Sequence, residues 1–497
     1  MKKKTFFLSS KLWCLGAFAL SMLAVSCAQD GFDDDEVFVP EVRNAQLESP
    51  ALEDIVVTSS ADGKSQTITW PVVSGAGGYL VSFYAEGNPE YFVTDSIVDG
   101  CSVTVQREED VNYVFTIKTL GNEKMNNKGA ETTTEKKIST FTPTYMTIPA
   151  GSDLNEWFAA NPVPAEALTE MHNYDLEAGG EYTLTGTLDF DGHRVTLRTN
   201  DKVNHAKITY VAGGSPKITT AAQMSIKYID FDCAGQNASN GVFEYSANTS
   251  VPAANTINPA LYAWAGPYVA DPITFVSCNF DNVMSYFFYD NSQKVFAENV
   301  LIEDCVVHLT PATSNSGAVF YTNKGGHINN FTVTKSTFYE SDDCAGDIKY
   351  FFQDSNKAQD LYVDGTGERS AATNSVTYTN CTFYHVTWND GQWGNYNGMQ
   401  SKAYSYWTMH DCIFYACSPS GVARRFVHGQ ANPPHADFAN NTYMNIDGSF
   451  QDPGNYDRTG TNIEEDPQFA NPAAADFTIG ASTRQAALKT GDPRWLP

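Results

Sequence analysis

The sequence predicts an all-β chain in which a small antiparallel sandwich precedes a long solenoid of stacked coils. Three observations predict it. Gly and aromatic residues are plentiful, while charged residues are only 18% of 497. That balance fits a globular β protein rather than a disordered or coiled one. Between residues 66 and 122, alternating strand phrases are parted by Gly- and Asn-rich turns. Beyond residue 146 one phrase recurs, as "PITFVSCNFDNV" (272–283), "SVTYTNCTFYHV" (375–386) and "SYWTMHDCIFYA" (405–416). The length allows two or three domains and one large core.

The N-terminus comes first. Lys2, Lys3, Lys4 and Lys11 accompany an apolar run, "LWCLGAFALSMLAV", that ends at Ser26-Cys27. The run is too short for a spanning helix and acids follow it closely, so residues 1–26 read as a secretory leader. The ending "LAVSC" resembles a bacterial lipobox, which implies cleavage before Cys27 and lipidation of its thiol. Residues 27–45 open on "AQDGFDDDE", an acidic stretch that has little to bury and reads as a solvated tether. It resembles the export signal of Bacteroides-type lipoproteins, which implies the outer face of the outer membrane. The formal charge of −27 excludes nucleic acid as a partner, because phosphates would be repelled.

Residues 46–143 form the first folded unit. "QTITWPVVSGAGGYLVSFY" (66–84) is strand, turn and strand, and "VNYVFTIKTLGN" (111–122) is a later strand. Trp70, Tyr79 and Tyr113 on successive strands resemble a fibronectin type III domain, which implies a seven-stranded sandwich. The bland role for such a unit is a spacer.

Residues 146–497 form the second. "GSDLNEWFAANP" (151–162) reads as a short amphipathic helix with Leu154, Trp157 and Phe158 on one face. The repeated phrase aligns on Phe231, Phe280, Val307, Phe338, Phe383, Phe414 and Tyr443, at intervals of 27 to 49 residues. Two places earlier stand Ile229, Cys278, Cys305, Ser336, Cys381, Cys412 and Asn441. A second phrase follows each first, as in "GVFEYSANTS", "SYFFYDNSQK", "GAVFYTNKGG", "IKYFFQDSNK" and "RRFVHGQANP". A regular core with uneven insertions is the signature of a solenoid. It resembles the right-handed parallel β-helix of pectate-lyase-like proteins, and residues 466–488 look like its terminal coil. Alternation points the cysteines inward, where a thiol packs as a small hydrophobe. The pairs Cys278/Cys305 and Cys381/Cys412 are near enough for a disulfide, although stacked thiols are more often reduced.

The resemblance extends to Bacteroides-type surface lipoproteins that join a fibronectin-like domain to a β-helix. It implies a polysaccharide partner of pectin-like composition. Lyases of this fold need a basic residue to take the proton beside a uronate carboxylate, and positive charge to stabilise the enolate. The bends after the second phrase supply Lys324, Asp354, Lys357, Lys402, Arg424, Arg425 and His428, with Lys402 or Arg425 as the base. Glu340, Asp342, Asp343 and Asp347 offer oxygens to Ca²⁺. Polygalacturonases are a second comparison, through "GGHIN" (325–329), "DD" (342–343) and "GDIKY" (346–350). The Arg of their basic motif is missing and the order of the motifs is reversed, so paired carboxylates at a defined separation are not expected. A different signal is "TWNDGQWGNYNGMQSKAYSYW" (387–407), whose Trp388, Trp393, Tyr396 and Trp407 accompany several Asn and Gly. Aromatic faces stack on sugar C–H groups and amides read hydroxyls, so this segment is expected to be an exposed carbohydrate platform. "ALYAWAGPY" (260–268) is a second such insertion. The leading expectation is glycan binding without turnover; the alternative is a Ca²⁺-dependent polysaccharide lyase.

Overall fold

A computed structural model describes residues 42–497 except 61–62, 87–92, 248–254, 315, 342–343, 356–357, 428 and 430–432. The chain divides into two compact units, one through Thr140 and one from Phe141. In the first, strands Val56–Ser59, Ser65–Thr69 and Ser102–Gln106 form an antiparallel sheet. Strands Ser96–Val98, Tyr79–Ala85, Asn112–Thr119 and Thr134–Ser139 form another. Alternate residues of both sheets, among them Ile68, Trp70, Val81, Phe83, Phe115 and Ile117, share one core. Trp70 meets Tyr79 edge-on at 5.4 Å, and the Phe83 and Tyr113 rings stack at 4.7 Å.

The second unit is a parallel β-helix. Its described residues form three parallel sheets of eleven, nine and seven strands. The chain visits them in rotation. One coil, for example, runs through Phe296–Glu303 in the first sheet, Val306–Leu309 in the second and Ser316–Tyr321 in the third. The next coil repeats this with His327–Thr334, Thr337–Glu340 and Ile348–Gln353, each strand pairing in parallel with its predecessor. Sequential neighbours in one sheet therefore lie a whole coil apart, which is why the repeat interval varies while the register does not.

The aligned aromatic positions form one column of the second sheet: Phe231, Phe280, Val307, Phe338, Phe383, Phe414 and Tyr443 are successive Cα partners. Their rings stack nearly parallel, Phe231 on Phe280 at 4.8 Å and Phe383 on Phe414 at 5.0 Å. Val307 leaves a gap in the stack. The column is built by a repeated corner. Before each ladder residue stands one in the left-handed region: Tyr228, Ser277, Asp304, Lys335, Asn380, Asp411 and Asn440, with φ from 49° to 58°. That single bend turns the chain from the first sheet into the second, and it costs a non-Gly residue backbone energy at every coil.

In six of the seven coils, Ile229 being the exception, the residue after the bend offsets this with a short hydrogen-bonding side chain. The thiols of Cys278, Cys305, Cys381 and Cys412 donate to the carbonyl two residues back, at 3.1–3.3 Å. Ser336 does the same to Thr334 at 2.7 Å and accepts from the Cys305 N–H, while Asn441 reaches the Met409 carbonyl. All the stacked cysteines are free thiols. Burial pushes Cys305 and Cys381 far above the usual thiol range, so they remain protonated donors. They are corner ties as well as hydrophobes.

Two expectations are corrected at the far end. The phrase "RRFVHGQANP" does not make a third-sheet strand: Val422–Phe426 is a short helix that occupies the place of the next strand. Residues 466–488 are not a terminal coil. Beyond the last paired strands, Ala436–Ala439 and Thr442–Met444, the chain turns back along the outer face of the second sheet. There Asp492 accepts from the Thr337 hydroxyl at 2.7 Å, and Arg494 reaches Asp304, four coils below the last, at 2.8 Å. The apolar Phe477 and Trp495 prefer the wall of Tyr339 and Tyr384 to a position at an exposed end. At the near end the helix Leu154–Ala160 covers the first coil, capped by the Asp153 carboxylate, with Leu154 and Phe158 buried and Trp157 half-buried.

Since Ser336 already occupies one rung, Cys381→Ser is expected to change unfolding free energy by about 1 kcal/mol or less, the hydroxyl taking over the bond to Thr379. Cys381→Leu overpacks the same corner and should cost about 1–3 kcal/mol. Thermal or denaturant melts of the two variants check the pair.

Candidate carbohydrate-binding face

The structure removes most of the expected platform. Trp393, Tyr396 and Trp407 are buried to within 1% exposure and belong to the main core. Trp393 lies in strand Gln392–Asn395 and stacks on Phe351 at 4.6 Å and 9°. Trp407 is an inward residue of strand Ser405–His410, set against Tyr396 at 4.7 Å. The glycines that suggested an exposed loop are there for close packing. A Cβ at Gly394 would stand 2.4 Å from the Tyr396 ring, and one at Gly391 2.6 Å from Thr387. Trp388 alone is half-buried.

Trp388 borders a buried acidic corner. Glu340 and Asp347 are both fully buried, at the turn from the second sheet to the third. One Glu340 oxygen accepts the N–H groups of Thr387 (3.2 Å) and Ile348 (3.4 Å), tying two adjacent coils. Its other oxygen has no hydrogen-bond partner among the described residues. Burial, with Asp347 adding to it, pushes the Glu340 carboxyl well above its usual range despite those N–H groups and the nearby Trp388 indole. Of the expected Ca²⁺ ligands, Asp342 and Asp343 lie outside the described residues. Asp347 faces the interior instead of the rim, and among the described residues no three metal-ligating side chains converge. No step is derived through a cation.

The proposed bases stand on two different elements. Lys402 follows the short 3-10 turn Met399–Ser401 in a corner loop, half-buried. Arg425 stands on the helix Val422–Phe426 with its Nε donating to Ser420 at 2.9 Å. Gln400 joins loop to helix through the Phe426 carbonyl. Lys357 and His428 lie outside the described residues. Asp354 is no surface bend residue either, because it is buried and pairs with His327 Nδ1 at 2.9 Å. His327 Nε2 meets the Tyr362 hydroxyl at 2.7 Å, Tyr362 donates to Asn329, and Asn329 donates to Tyr262 and Glu298. This chain of bonds ties the insertion holding Tyr262 and the one holding Tyr362 to the first sheet. The motif "GGHIN" serves that anchorage.

What the sequence reading missed is the outer face of the third sheet. Tyr286 and Tyr289 stack at 4.2 Å and 16°, and Tyr321 lies 5.4 Å and 5.5 Å from them. Gly317 makes room, since a Cβ there would meet the Tyr286 ring at 2.6 Å. One register row continues from Tyr289 and Tyr321 to Gln353 and Asn395, and Tyr350 pairs with Gln392. Tyr286, Tyr321, Tyr350 and the three amide residues are half-buried. Burial and the neighbouring phenols push Tyr289 up to about 12, so its hydroxyl stays protonated. Arg425 lies in the helix packed on Gln392–Asn395, near enough to Tyr350 and Arg424 for their charges to act on it. Among the described residues no carboxylate pairs with Arg424, Arg425, Lys324 or Lys349. Aromatic faces, amides and uncompensated bases are the groups that grip sugar rings, hydroxyls and acid groups. The sequence signal for it is the tyrosines within the second phrases "SYFFYDNSQK" and "GAVFYTNKGG".

Three family models match in succession, each described as a domain of unknown function: DUF4992 over residues 1–182, DUF4957 over 180–341 and DUF5123 over 331–495. No curated protein matches the chain. Among solved structures, pectate lyase PelI from Erwinia chrysanthemi in complex with tetragalacturonic acid is similar at 9% identity and a TM-score of 0.19, covering 68% of this chain and 88% of that one. A second crystal structure of PelI gives 10% identity and a TM-score of 0.14, covering 84% and 99%. Overlap this small transfers no residue role.

The Glu340 corner gives a pH prediction. A carboxyl whose folded pKa is raised stabilises the fold below its unfolded pKa and loses that contribution as pH rises through the folded value. The melting temperature should therefore fall from acidic to mildly alkaline buffer. Glu340→Gln keeps an acceptor for both N–H groups and has no proton to lose, so its melting temperature should vary less over the same range. Parallel pH slopes for the two proteins would refute this.

Proposed function

We propose that this chain is a surface lipoprotein, lipidated at Cys27 in the outer membrane, whose β-helix binds a pectin-like polysaccharide without turning it over. The observation that supports this most is the third-sheet face, where a tyrosine cluster, an amide row and an arginine pair with no carboxylate partner among the described residues follow one another along the coil axis. Arg424 and Arg425 turn to Ser420 for their hydrogen bonds rather than to a carboxylate. They suit a ligand that brings its own carboxylates, such as a uronate-containing glycan. The N-terminal unit is read as a fibronectin type III-like spacer. Its three- and four-stranded antiparallel sheets agree with that, as does the Tyr113 hydroxyl, which accepts an N–H from Glu108 at 2.9 Å. Turnover by a Ca²⁺-dependent lyase is the alternative, with Arg425 in the base's place. Its support is thinner, because Asp347 is buried and no three metal-ligating side chains converge among the described residues.

Polygalacturonate titrated into the full chain tests the reading. Arg425→Ala and Tyr321→Ala should each weaken binding by about 1–3 kcal/mol with the melting curve unchanged. Trp393→Ala, by contrast, should unfold or loosen the coil and show no selective binding loss. Unsaturated products in the same mixtures would replace the binding reading with the lyase. Unchanged affinity in both face variants would remove this face.

Membrane attachment is tested separately. Cys27→Ala should release the protein from the outer-membrane fraction; full retention would end the lipoprotein assignment.

A further inference from the structure

The C-terminal segment does more than close the second sheet. Between its residues 466–472 and the sheet lies an open cleft of ≈ 260 Å³, lined by Tyr384, Tyr415, Phe469, Pro472, Asp466 and Gln468. We propose that this cleft is a second carbohydrate site, one that takes a neutral sugar unit. The proposal rests on the polysaccharide-binding reading above and adds a separate place and a separate chemistry.

The floor is aromatic. Tyr384 and Tyr415 are register partners on adjacent coils, and their rings lie 5.5 Å apart at 23°. Phe469 stands across both, at 6.3 Å and 5.8 Å. His385 stacks on Tyr384 at 4.1 Å and Phe477 packs behind it, so the floor is held from below. Tyr384 is buried, Tyr415, Phe469 and Pro472 are half-buried, and the polar Asp466 and Gln468 are exposed at the rim. An apolar floor with a few polar groups at its edge is the usual construction of a sugar site. The volume falls a little below the roughly 300 Å³ at which drug-sized pockets begin, which suits one or two sugar rings.

The rim is built as well. Gln468 has a left-handed backbone at φ 55°, and its N–H donates to the Asp466 carboxylate at 2.7 Å. Gly480 leaves space for the Gln468 amide, since a Cβ there would come within 2.9 Å of its Oε1. Asp466 is the one charged residue of the lining, and no base accompanies it. A uronate carboxylate would meet that charge with like sign, while the hydroxyls of a neutral sugar can donate to it. Charge thus separates the two surfaces: the arginine-bearing face suits acidic units and this cleft suits neutral ones.

The test uses the full chain and two neutral probes, fully methyl-esterified oligogalacturonate and β-1,4-galactotetraose, beside free oligogalacturonate, all by calorimetry. Phe469→Ala and the exposed Gln468→Ala should weaken the neutral probes about tenfold and several-fold, respectively, and leave the free acid unchanged. Arg425→Ala should do the reverse. Circular dichroism melts confirm that each variant is folded, and Gln468→Ala keeps the test sound if Phe469→Ala is not. Neutral probes that fail to bind, or that bind both cleft variants like wild type, overturn this inference. If the free acid still binds and depends on Arg425, the polysaccharide reading stands without the cleft. If no probe binds the wild type, both fall together.

Discussion

Parallel pairing from coil to coil is the constraint on which the rest depends. Each strand takes its hydrogen bonds from the coil before and gives them to the coil after, so equivalent residues stand one strand spacing apart, about 4.8 Å. Inward, this turns isolated phenylalanines into a stacked column. Outward, it does the same for whatever side chains the sequence places there, and the tyrosines and amides of the third sheet become a continuous strip. A polymer with a short repeating unit is the natural counterpart of such a strip, because both present the same group again after each step. The helix at Val422–Phe426 ends that sheet and brings Arg425 to the end of the strip.

The solenoid was legible because its repeat is written in residues that cannot be exchanged freely. In six of the seven coils, Ile229 being the exception, the corner carries a short side chain with a hydrogen to donate, so Cys, Ser and Asn recur while the residue before them varies from Ser277 to Lys335. The Phe column needs a flat ring, and even Val307 keeps the register. The reading failed where composition was used in place of period. Residues 387–407 are rich in Gly, Asn and Trp, a composition that suggests an exposed insertion. Aligned as a third-sheet strand, Trp393 falls on the same column as Phe351, an inward place. A glycine beside a buried aromatic ring marks close approach as often as it marks a loop. The C-terminal return was illegible for another reason. Its partners, Asp304, Thr337 and Thr382, are more than a hundred residues away in sequence, and no periodicity connects them.

The family models cut the chain where the structure does not. Their junctions, at 180–182 and 331–341, fall within or beside strands Glu181–Leu184, His327–Thr334 and Thr337–Glu340 of a continuous solenoid. A solenoid has no natural joint, since each coil contacts only its neighbours and any coil boundary serves as well as another. The bonds that cross several coils are therefore the ones that make this unit a single body. The insertions tied by His327 and Asp354 and the returning segment tied by Arg494 are two such cross-braces.

Charge decides how such a body meets an acidic polymer. The summed negative charge repels it at long range, yet at physiological ionic strength that field decays over about 8 Å. Within that distance a ligand lying on the third-sheet face meets Arg424 and Arg425 before it meets the acids elsewhere. Burial raises the carboxyls of Asp290, to about 6, and of Glu340 from their usual range. On the binding reading proposed above, local arrangement rather than net charge sets which sugars the surface would accept.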